Sequence, residues 1–417
     1  MSYKTKLLVI SDHAQHNTGV AVQSKHLIEG LINLGRYEVV QLGAAIYHEN
    51  YDIVKASEDF TIIPIKGFGD KETIRSILVS YNPDALIIFS DGRFFSHIFD
   101  MEDEIHQVCP IMWWHVWDNR PVPYFNKLKY DCVDTINCIS ELTYKLCNEV
   151  TGNKDKVSYI PHTVPNEIFT QLTDKEILFH KEKILGSHKD NFICTWVNRN
   201  IRRKRPADVL KAWQMFLFEL EDKTKNKNAV LIMHTDPYDN AGTNLIEVAK
   251  NLKILENVRF SDQEASFDKI NILYNISDIV LNISQAEGFG LTTLEAMHTA
   301  TPIIATLTGG LTRQLINKET LEVNGIALKP DVTTISGTQS IPYINEDFVS
   351  VEKVSKSIMQ MYMLGHKKRK EIGLRAKKYV NKNFSYNKMI RLWDDSINNT
   401  ICLWKENYNR IRVEEII

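Results

Sequence analysis

Short apolar runs alternate with longer amphipathic segments along most of the chain. The apolar runs have the length of buried β-strands, whereas the segments between them place apolar residues at the three- and four-residue spacing of helices. Strands that alternate with helices predict parallel sheets covered by helices. Before residue 165 the pattern predicts strands at 7–10, 39–42, 61–65, 85–89, 111–114, 135–139 and 157–160.

The alternation stops after the last of these strands and starts again at residue 191. A chain of 417 residues is longer than one ordinary hydrophobic core supports, so two domains are expected. The second sheet is predicted from strands at 191–197, 229–234, 258–260, 279–283, 302–305 and 325–328. We predict a first domain at 1–166, a polar linker at 167–190, a second domain at 191–383 and a helical segment at 384–417.

Composition excludes several classes of protein. The hydrophobic content of 43% and charged content of 24% are those of a soluble globular protein. A formal net charge of −2 gives no global attraction to nucleic acid or anionic lipid. The six cysteines show no metal-binding spacing, and no segment is apolar for long enough to be a signal peptide or a membrane span. We therefore expect a cytoplasmic protein without an integral membrane segment.

The most informative segment is 284–300, which places Glu287 and Glu295 around a turn containing Gly288 and Gly290. A predicted strand precedes this turn and a helix-like segment follows it. Free backbone N–H groups and the helix dipole favour an anion at such a helix start. Two carboxylates beside a phosphate cradle suit a sugar nucleotide, with phosphates on the amides and hydroxyl groups on the acids. The alternative is an ordinary strand-to-helix connection with solvated glutamates, which the whole arrangement disfavours.

This segment resembles the E-x7-E motif of the retaining glycosyltransferases of family 4. Other pieces resemble that family in the same order: the basic segment 198–206, the strand 257–261, and the segments 139–141 and 159–164. The resemblance implies an α/β GT-B fold, in which two Rossmann-like domains face each other and a C-terminal helix, here 386–407, crosses back to the first domain. The segment 113–118 also resembles enzymes encoded by large DNA viruses and phages, which would place the protein in a host cytoplasm.

The resemblance also implies roles for residues of the second domain. Arg199 and Lys204 would neutralise the donor diphosphate and stabilise the departing nucleotide, although a basic surface loop is the alternative. We treat Arg202, Arg203 and Arg205 as surface residues. Glu287 would contact the transferred sugar, and Glu295 would hold the ribose hydroxyls. The remaining donor-binding residues would be Gly19, Ser261, Gly288, Phe289, Gly290 and Leu291.

Three residues of the first domain are candidates for catalysis or acceptor binding. His115 follows a predicted strand, and it would lie near the reacting sugar or be a buried structural histidine; both interpretations stay open. Trp117 and Asp118 would contact the acceptor. The chain departs from its relatives where they carry two glycines near Gly19, and where they place a glutamate after Gly309 and Gly310, since Arg313 and Gln314 stand there instead.

We expect a retaining hexosyl- or pentosyltransferase that moves a sugar from a nucleoside diphosphate sugar, with UDP favoured, to a glycan hydroxyl. The Asp-x-Asp motif of metal-dependent transferases does not occur at a strand end, so we expect neither a metal nor another cofactor. Alternatives are glycosylation of hydroxymethylated bases in DNA, an epimerase or phosphorylase, and a nucleotide-binding protein without transferase activity. The oligomeric state does not follow from the sequence.

Overall fold

The computed structural model describes residues 4–45, 47–261 and 265–408. These residues form two compact units. One unit contains the chain up to Thr163, the short segment Gly337–Tyr343 and everything from Tyr386 onward. The other unit contains Val164–Ser336 and Ile344–Ser385.

The first unit is built on an eight-stranded sheet with strand order β3-β4-β2-β1-β5-β6-β7-β8. Neighbouring strands are parallel except for β3, which pairs antiparallel with β4 at the edge. The strands are β1 (Thr5–Asp12), β2 (Tyr37–Ala44), β3 (Val54–Ser57), β4 (Phe60–Pro64), β5 (Ala85–Ser90), β6 (Ile111–His115), β7 (Thr135–Cys138) and β8 (Val157–Tyr159). Their helices are α1 (Gly19–Ile32), α2 (Lys71–Tyr81), α3 (Ser96–Phe99), α4 (Glu102–His106), α5 (Lys127–Asp131) and α6 (Glu141–Thr151).

The second unit contains a six-stranded parallel sheet with order β11-β10-β9-β12-β13-β14 and a separate hairpin, β15–β16. Its strands are β9 (Phe192–Val197), β10 (Ala229–His234), β11 (Val258–Ser261), β12 (Ile279–Asn282), β13 (Ile303–Thr306), β14 (Gly325–Leu328), β15 (Val332–Ser336) and β16 (Ile344–Phe348). Its helices are α7 (Asp174–Leu185), α8 (Pro206–Thr224), α9 (Leu245–Asn251), α10 (Phe267–Ile276), α11 (Leu291–His298), α12 (Leu311–Leu315) and α13 (Val351–Asn383).

The last described helix, α14 (Tyr386–Asn407), packs in the first unit. Asp394 is buried on this helix, where its carboxylate accepts hydrogen bonds from Arg36 Nε at 3.0 Å and from the Tyr37 hydroxyl at 2.5 Å. The Trp393 ring lies 5.0 Å from the ring of Trp114 on β6. The predicted return of the C-terminal helix to the first domain is therefore confirmed.

The strand order of the second unit fixes the place of a ligand site. In a doubly wound parallel sheet, ligands bind beyond the carboxyl ends of the strands, at the point where the order reverses. Here β9 and β12 are neighbours at that point, although they are far apart in sequence. The segments that leave these two strands are 198–206 and 283–290, so both segments of the predicted donor site start from one edge of one sheet.

Two strand elements differ from the prediction. The strand β3 and the hairpin β15–β16 do not appear among the predicted strands, because they show no apolar run: β3 and β15 are largely exposed, and β16 contains the charged residues Glu346 and Asp347. The predicted linker segment, 167–190, lies within the second unit and contains α7. The amides of Thr170 and Leu172 donate to the side-chain oxygens of Asn271 and Asn275 on α10, at 3.1 and 2.8 Å. Its polar sequence reflects a mostly exposed helix rather than a free connection.

None of the helices in the described part of the chain is both long and apolar enough to span a bilayer.

Candidate active site

A carboxylate and two basic side chains meet beyond the carboxyl ends of β9 and β12. Glu287 is buried and forms an ion pair with Lys204, whose side chain is also buried. A guanidinium nitrogen of Arg203 lies 3.3 Å from the same carboxylate oxygen and donates to the Ala286 carbonyl at 3.0 Å. A backbone hydrogen bond also joins the two segments that carry these side chains, because the Gln285 amide donates to the Arg203 carbonyl at 2.8 Å.

The two cations keep Glu287 ionised. Burial raises the pKa of the Glu287 carboxyl. The charges of Lys204 and Arg203 and the hydrogen bond from Lys204 lower this pKa by more than burial raises it, so the pKa lies below its ordinary value. A buried carboxylate that stays charged is a strong hydrogen-bond acceptor for a hydroxyl-rich ligand.

The turn after Glu287 has a backbone conformation that requires glycine. Gly290 caps α11 with φ of +92°, and a Cβ at this position would lie 2.3 Å from a methyl carbon of Leu311. Gly310, the residue before Leu311, is also close to the turn, because a Cβ on Gly310 would lie 2.4 Å from the Gly288 carbonyl oxygen. The Gly310 amide donates to the Glu287 carbonyl at 2.8 Å. The turn is therefore packed directly against the segment that begins α12.

The second acid of the motif is held by a tyrosine. Glu295 lies half-buried on α11, and one of its carboxylate oxygens accepts a hydrogen bond of 2.8 Å from the hydroxyl of Tyr274 on α10. Tyr274 has no exposed surface. Burial raises the pKa of Glu295 to about 7, although the Tyr274 hydrogen bond acts in the opposite direction. Glu295 therefore changes its charge near neutral pH.

The structure separates the basic residues of 198–206 into different roles. The Arg199 side chain is 67% exposed, and its Nε donates to Asp239 at 2.7 Å, so Arg199 does not join Lys204 at Glu287. Arg202 pairs with Glu346. Arg205 is buried and donates to the Val349 carbonyl at 2.8 Å. The prediction that Arg205 is a surface residue is wrong, because its left-handed backbone (φ +56°) at the start of α8 directs the guanidinium inward.

Ser261 ends β11, where its hydroxyl lies 3.0 Å from Nδ1 of His234 at the end of β10. This pair occupies the same carboxyl edge of the sheet as Glu287, on the strands that lie two and three positions from β12. The residues that follow Ser261, 262–264, lie outside the described part of the chain.

The candidates of the first unit lie beyond the carboxyl ends of its own strands. His115 ends β6 with no exposed surface, and its Nε2 lies 2.8 Å from the Tyr130 hydroxyl. These features support the structural interpretation of His115. Trp117 is also buried, whereas Asp118 is half-buried and Gly19, at the start of α1, is exposed.

A groove of about 810 Å³ lies on the opposite edge of the second sheet. It is lined by Phe192 at the start of β9, by Asp278 just before β12 and by Pro302 just before β13. Because these positions are at the amino ends of the strands, the groove is separate from the site around Glu287.

Three residues at or near this site have contacts that sequence reasoning missed. Arg203 was assigned to the surface, yet it contacts Glu287. Tyr274 and Gln314 contact the motif from other elements, α10 and α12. The sequence signals are the position of Arg203 beside Lys204 and the departure from relatives at Gln314; the contacts themselves join distant elements and leave no mark in local spacing.

Residues 179–336 match the family model described as glycosyl transferases group 1. This part of the chain is therefore similar to group 1 glycosyl transferases. The D-inositol 3-phosphate glycosyltransferase of Corynebacterium diphtheriae is 28% identical over 182 residues, which cover 43% of this chain and 41% of that protein. The match spans less than half the length of each of the first curated relatives.

Solved structures show that the chain has a GT-B fold. The sucrose-phosphate synthase of Thermosynechococcus elongatus is 15% identical, with a TM-score of 0.74 over 96% of this chain and 100% of that one. Anabaena HepE in complex with UDP-glucose is 12% identical, with a TM-score of 0.70 over 94% and 99% of the two chains. The predicted GT-B fold is confirmed.

Proposed function

We propose that the protein is a retaining glycosyltransferase that moves a hexose or pentose from a nucleoside diphosphate sugar to an acceptor hydroxyl. The observation that carries the proposal is the buried Glu287 carboxylate, kept ionised by Lys204 and Arg203 beside the Gly288–Gly290 turn. The group 1 match over residues 179–336, which contain all of these groups, supports it.

The proposed reaction uses fixed charge rather than a covalent intermediate. The bond between the anomeric carbon and the diphosphate oxygen breaks, and its electron pair leaves with the diphosphate. The acceptor oxygen bonds to the same face of that carbon, and its proton passes to the departing phosphate oxygen. Lys204 and the turn amides would stabilise the developing negative charge, while Glu287 would hold hydroxyls of the sugar. Arg199 would join them by exchanging Asp239 for the diphosphate.

We propose UDP as the nucleotide, with Glu295 on the ribose hydroxyls and Ser261 near the base. Support comes from Anabaena HepE, which has the same fold and was crystallised with UDP-glucose. The positions fit the proposal, because Ser261 lies at the same edge of the sheet as Glu287.

We propose a glycan as the acceptor, with Trp117 and Asp118 as its candidate neighbours. The alternative, hydroxymethylated DNA, would require a stripe of free basic groups. In the first unit several basic residues are instead neutralised by acids, in the pairs Lys4–Asp59, Lys71–Asp100, Arg75–Glu104, Lys127–Asp131 and Lys145–Glu141. This favours the glycan.

The test is release of nucleoside diphosphate from UDP-, GDP- and ADP-sugars, with EDTA present, with glycan acceptors or hydroxymethylcytosine-containing DNA. We expect acceptor-dependent release from a UDP-sugar by the wild-type protein, an α-linked product from an α-linked donor, and loss of release in Glu287→Gln. Nucleoside diphosphate release that is stimulated by DNA and by none of the glycans would show that the acceptor is DNA and not a glycan. Binding without release would favour a nucleotide-binding protein. Loss of activity in EDTA that Mg²⁺ or Mn²⁺ restores would contradict metal independence.

The pair Tyr274–Glu295 predicts how donor binding depends on pH. Because an ionised Glu295 is the better acceptor for ribose hydroxyls, affinity for UDP should rise as pH increases through about 7. Tyr274→Phe removes a hydrogen bond that favours the carboxylate, so in this variant the increase in UDP affinity should occur at a higher pH.

The same raised pKa of Glu295 makes the folded state hold a proton that the unfolded state releases. The contribution of Glu295 to stability therefore decreases as pH rises from about 4.5 to about 7.

Calorimetric titration with UDP between pH 5.5 and 8.5 measures this effect. Glu295→Gln is the control, because it removes the protein carboxyl and leaves only the titration of the UDP phosphate, near pH 6. Identical pH profiles for the wild-type protein and Tyr274→Phe would contradict the assigned role of Tyr274.

A further inference from the structure

Gln314 lies beneath the motif turn without exposed surface. Its side-chain Nε2 donates to the Phe289 carbonyl at 2.8 Å and to the Gly290 carbonyl at 3.1 Å. Its Oε1 lies 2.6 Å from the Thr293 hydroxyl, which also lies 2.7 Å from the Gly290 carbonyl. One amide side chain on α12 therefore bonds two successive carbonyls of the turn and the first turn of α11.

Because the peptide bond is planar, contacts that fix a carbonyl also fix the direction of the N–H group of the next residue. In a trans peptide the C=O of one residue and the N–H of the next point in opposite directions. Because the carbonyls of Phe289 and Gly290 point toward Gln314, the N–H groups of Gly290 and Leu291 point away from it. The Glu287 carbonyl is likewise bonded by the Gly310 amide, at 2.8 Å, so the Gly288 N–H points away from Gly310, the residue that precedes α12.

Several N–H groups on one side of a turn, here those of Gly288, Gly290 and Leu291, form a concave site for an anion. We infer that Gln314 is a positioning residue that orients the Gly290 and Leu291 amides toward the diphosphate of the donor, beside the Gly288 amide that the Gly310 contact orients. The inference rests on the proposed function and adds to it the group that sets the phosphate-binding conformation. The side chain of Gln314 is neutral, whereas a carboxylate at this position would repel the carbonyl oxygens of Phe289 and Gly290.

The role predicts a selective loss of affinity. Gln314→Met keeps the length and volume of the side chain but cannot donate to the two carbonyls. UDP should bind about tenfold more weakly, whereas uridine, which lacks the phosphates, should bind as it does to the wild-type protein. In turnover, KM for the donor should rise by a similar factor. If another nucleoside diphosphate is the product, that nucleotide and its nucleoside take the place of UDP and uridine.

Asn257→Leu is the matched control, because Asn257 also donates to two carbonyls, those of Lys227 at 3.0 Å and Ala229 at 2.9 Å, away from the motif turn. This variant should lose stability without selective loss of UDP affinity. Thr293→Val should show a smaller selective loss of UDP affinity. This variant takes the place of Gln314→Met in the test if Gln314→Met does not fold. Equal losses for UDP and uridine, or unchanged UDP affinity, would overturn the role of Gln314. A wild-type protein that binds no nucleoside diphosphate would instead overturn the proposed function.

Discussion

Lys204→Met should lower kcat/KM by roughly 10²–10³-fold, because it removes a preorganised positive charge from the place where, in the proposed reaction, the leaving diphosphate becomes negative. The substitution keeps much of the buried aliphatic side chain, so packing changes little. It also leaves Glu287 buried with Arg203 as its main partner. Steady-state kinetics with the donor found in the release assay measure the first effect, and thermal unfolding measures the second.

The double variant Lys204→Met/Glu287→Gln separates the two effects. Breaking a buried ion pair by removing one partner costs roughly 3–5 kcal/mol, because an uncompensated charge remains. Neutralising Glu287 as well should restore much of the stability and none of the activity. A double variant more active than Lys204→Met would contradict the assigned role of Glu287. Lys382→Met is the control, because Lys382 pairs with Glu319 in solvent and its loss should cost less than about 1 kcal/mol.

The same pair has a pH signature with a defined sign. The pKa of Glu287 is lowered in the folded protein. Its contribution to stability is therefore present above about pH 4.5 and is lost as the pH falls through the folded pKa. In Lys204→Met the largest favourable charge is absent, so the variant should be least destabilised relative to wild type in acid. A deficit that is constant between pH 4 and 8 would argue against an ionised Glu287.

The sequence predicts the parts of this fold whose signal is local. Buried parallel strands are continuous apolar runs, so β9, β10 and β12 to β14 are visible without the structure. The hairpin β15–β16 is not visible, because its residues show neither an apolar run nor helical spacing. Once the strand order is known, Lys204 and Glu287 must approach each other, since β9 and β12 are neighbours.

The finer contacts of the site depend on geometry that spacing does not encode. Arg203 and Arg205 are two positions apart, yet one contacts Glu287 and the other the Val349 carbonyl, because the chain turns through a left-handed residue at the start of α8. Tyr274 and Gln314 act on the motif from helices that precede and follow it. A motif search therefore finds the acids but not the groups that set their charge and orientation.

Arg369→Met should destabilise the second unit by roughly 3–5 kcal/mol. Arg369 is buried, and one terminal nitrogen donates to Asp278 at 2.6 Å. The other donates to the carbonyls of Met361 and Tyr362 at 3.0 and 3.2 Å, just before α13 is interrupted at Gly365. Asp278 also accepts the Ile193 amide at 2.9 Å, so one pair joins the broken helix to strands β9 and β12. Removal of the guanidinium leaves a buried charge and two helix carbonyls without this donor.

The neighbouring residue provides the control for this prediction. Lys370 pairs with Asp174 through largely exposed side chains, so Lys370→Met should change stability by less than about 1 kcal/mol. Because Arg369 lies at the amino edge of the sheet and Glu287 at the carboxyl edge, the folded fraction of Arg369→Met should bind UDP with wild-type affinity. Adding Asp278→Asn should recover part of the lost stability, since the buried charge is then removed. Equal melting temperatures for Arg369→Met and Lys370→Met would show that the buried pair does not stabilise the interrupted helix.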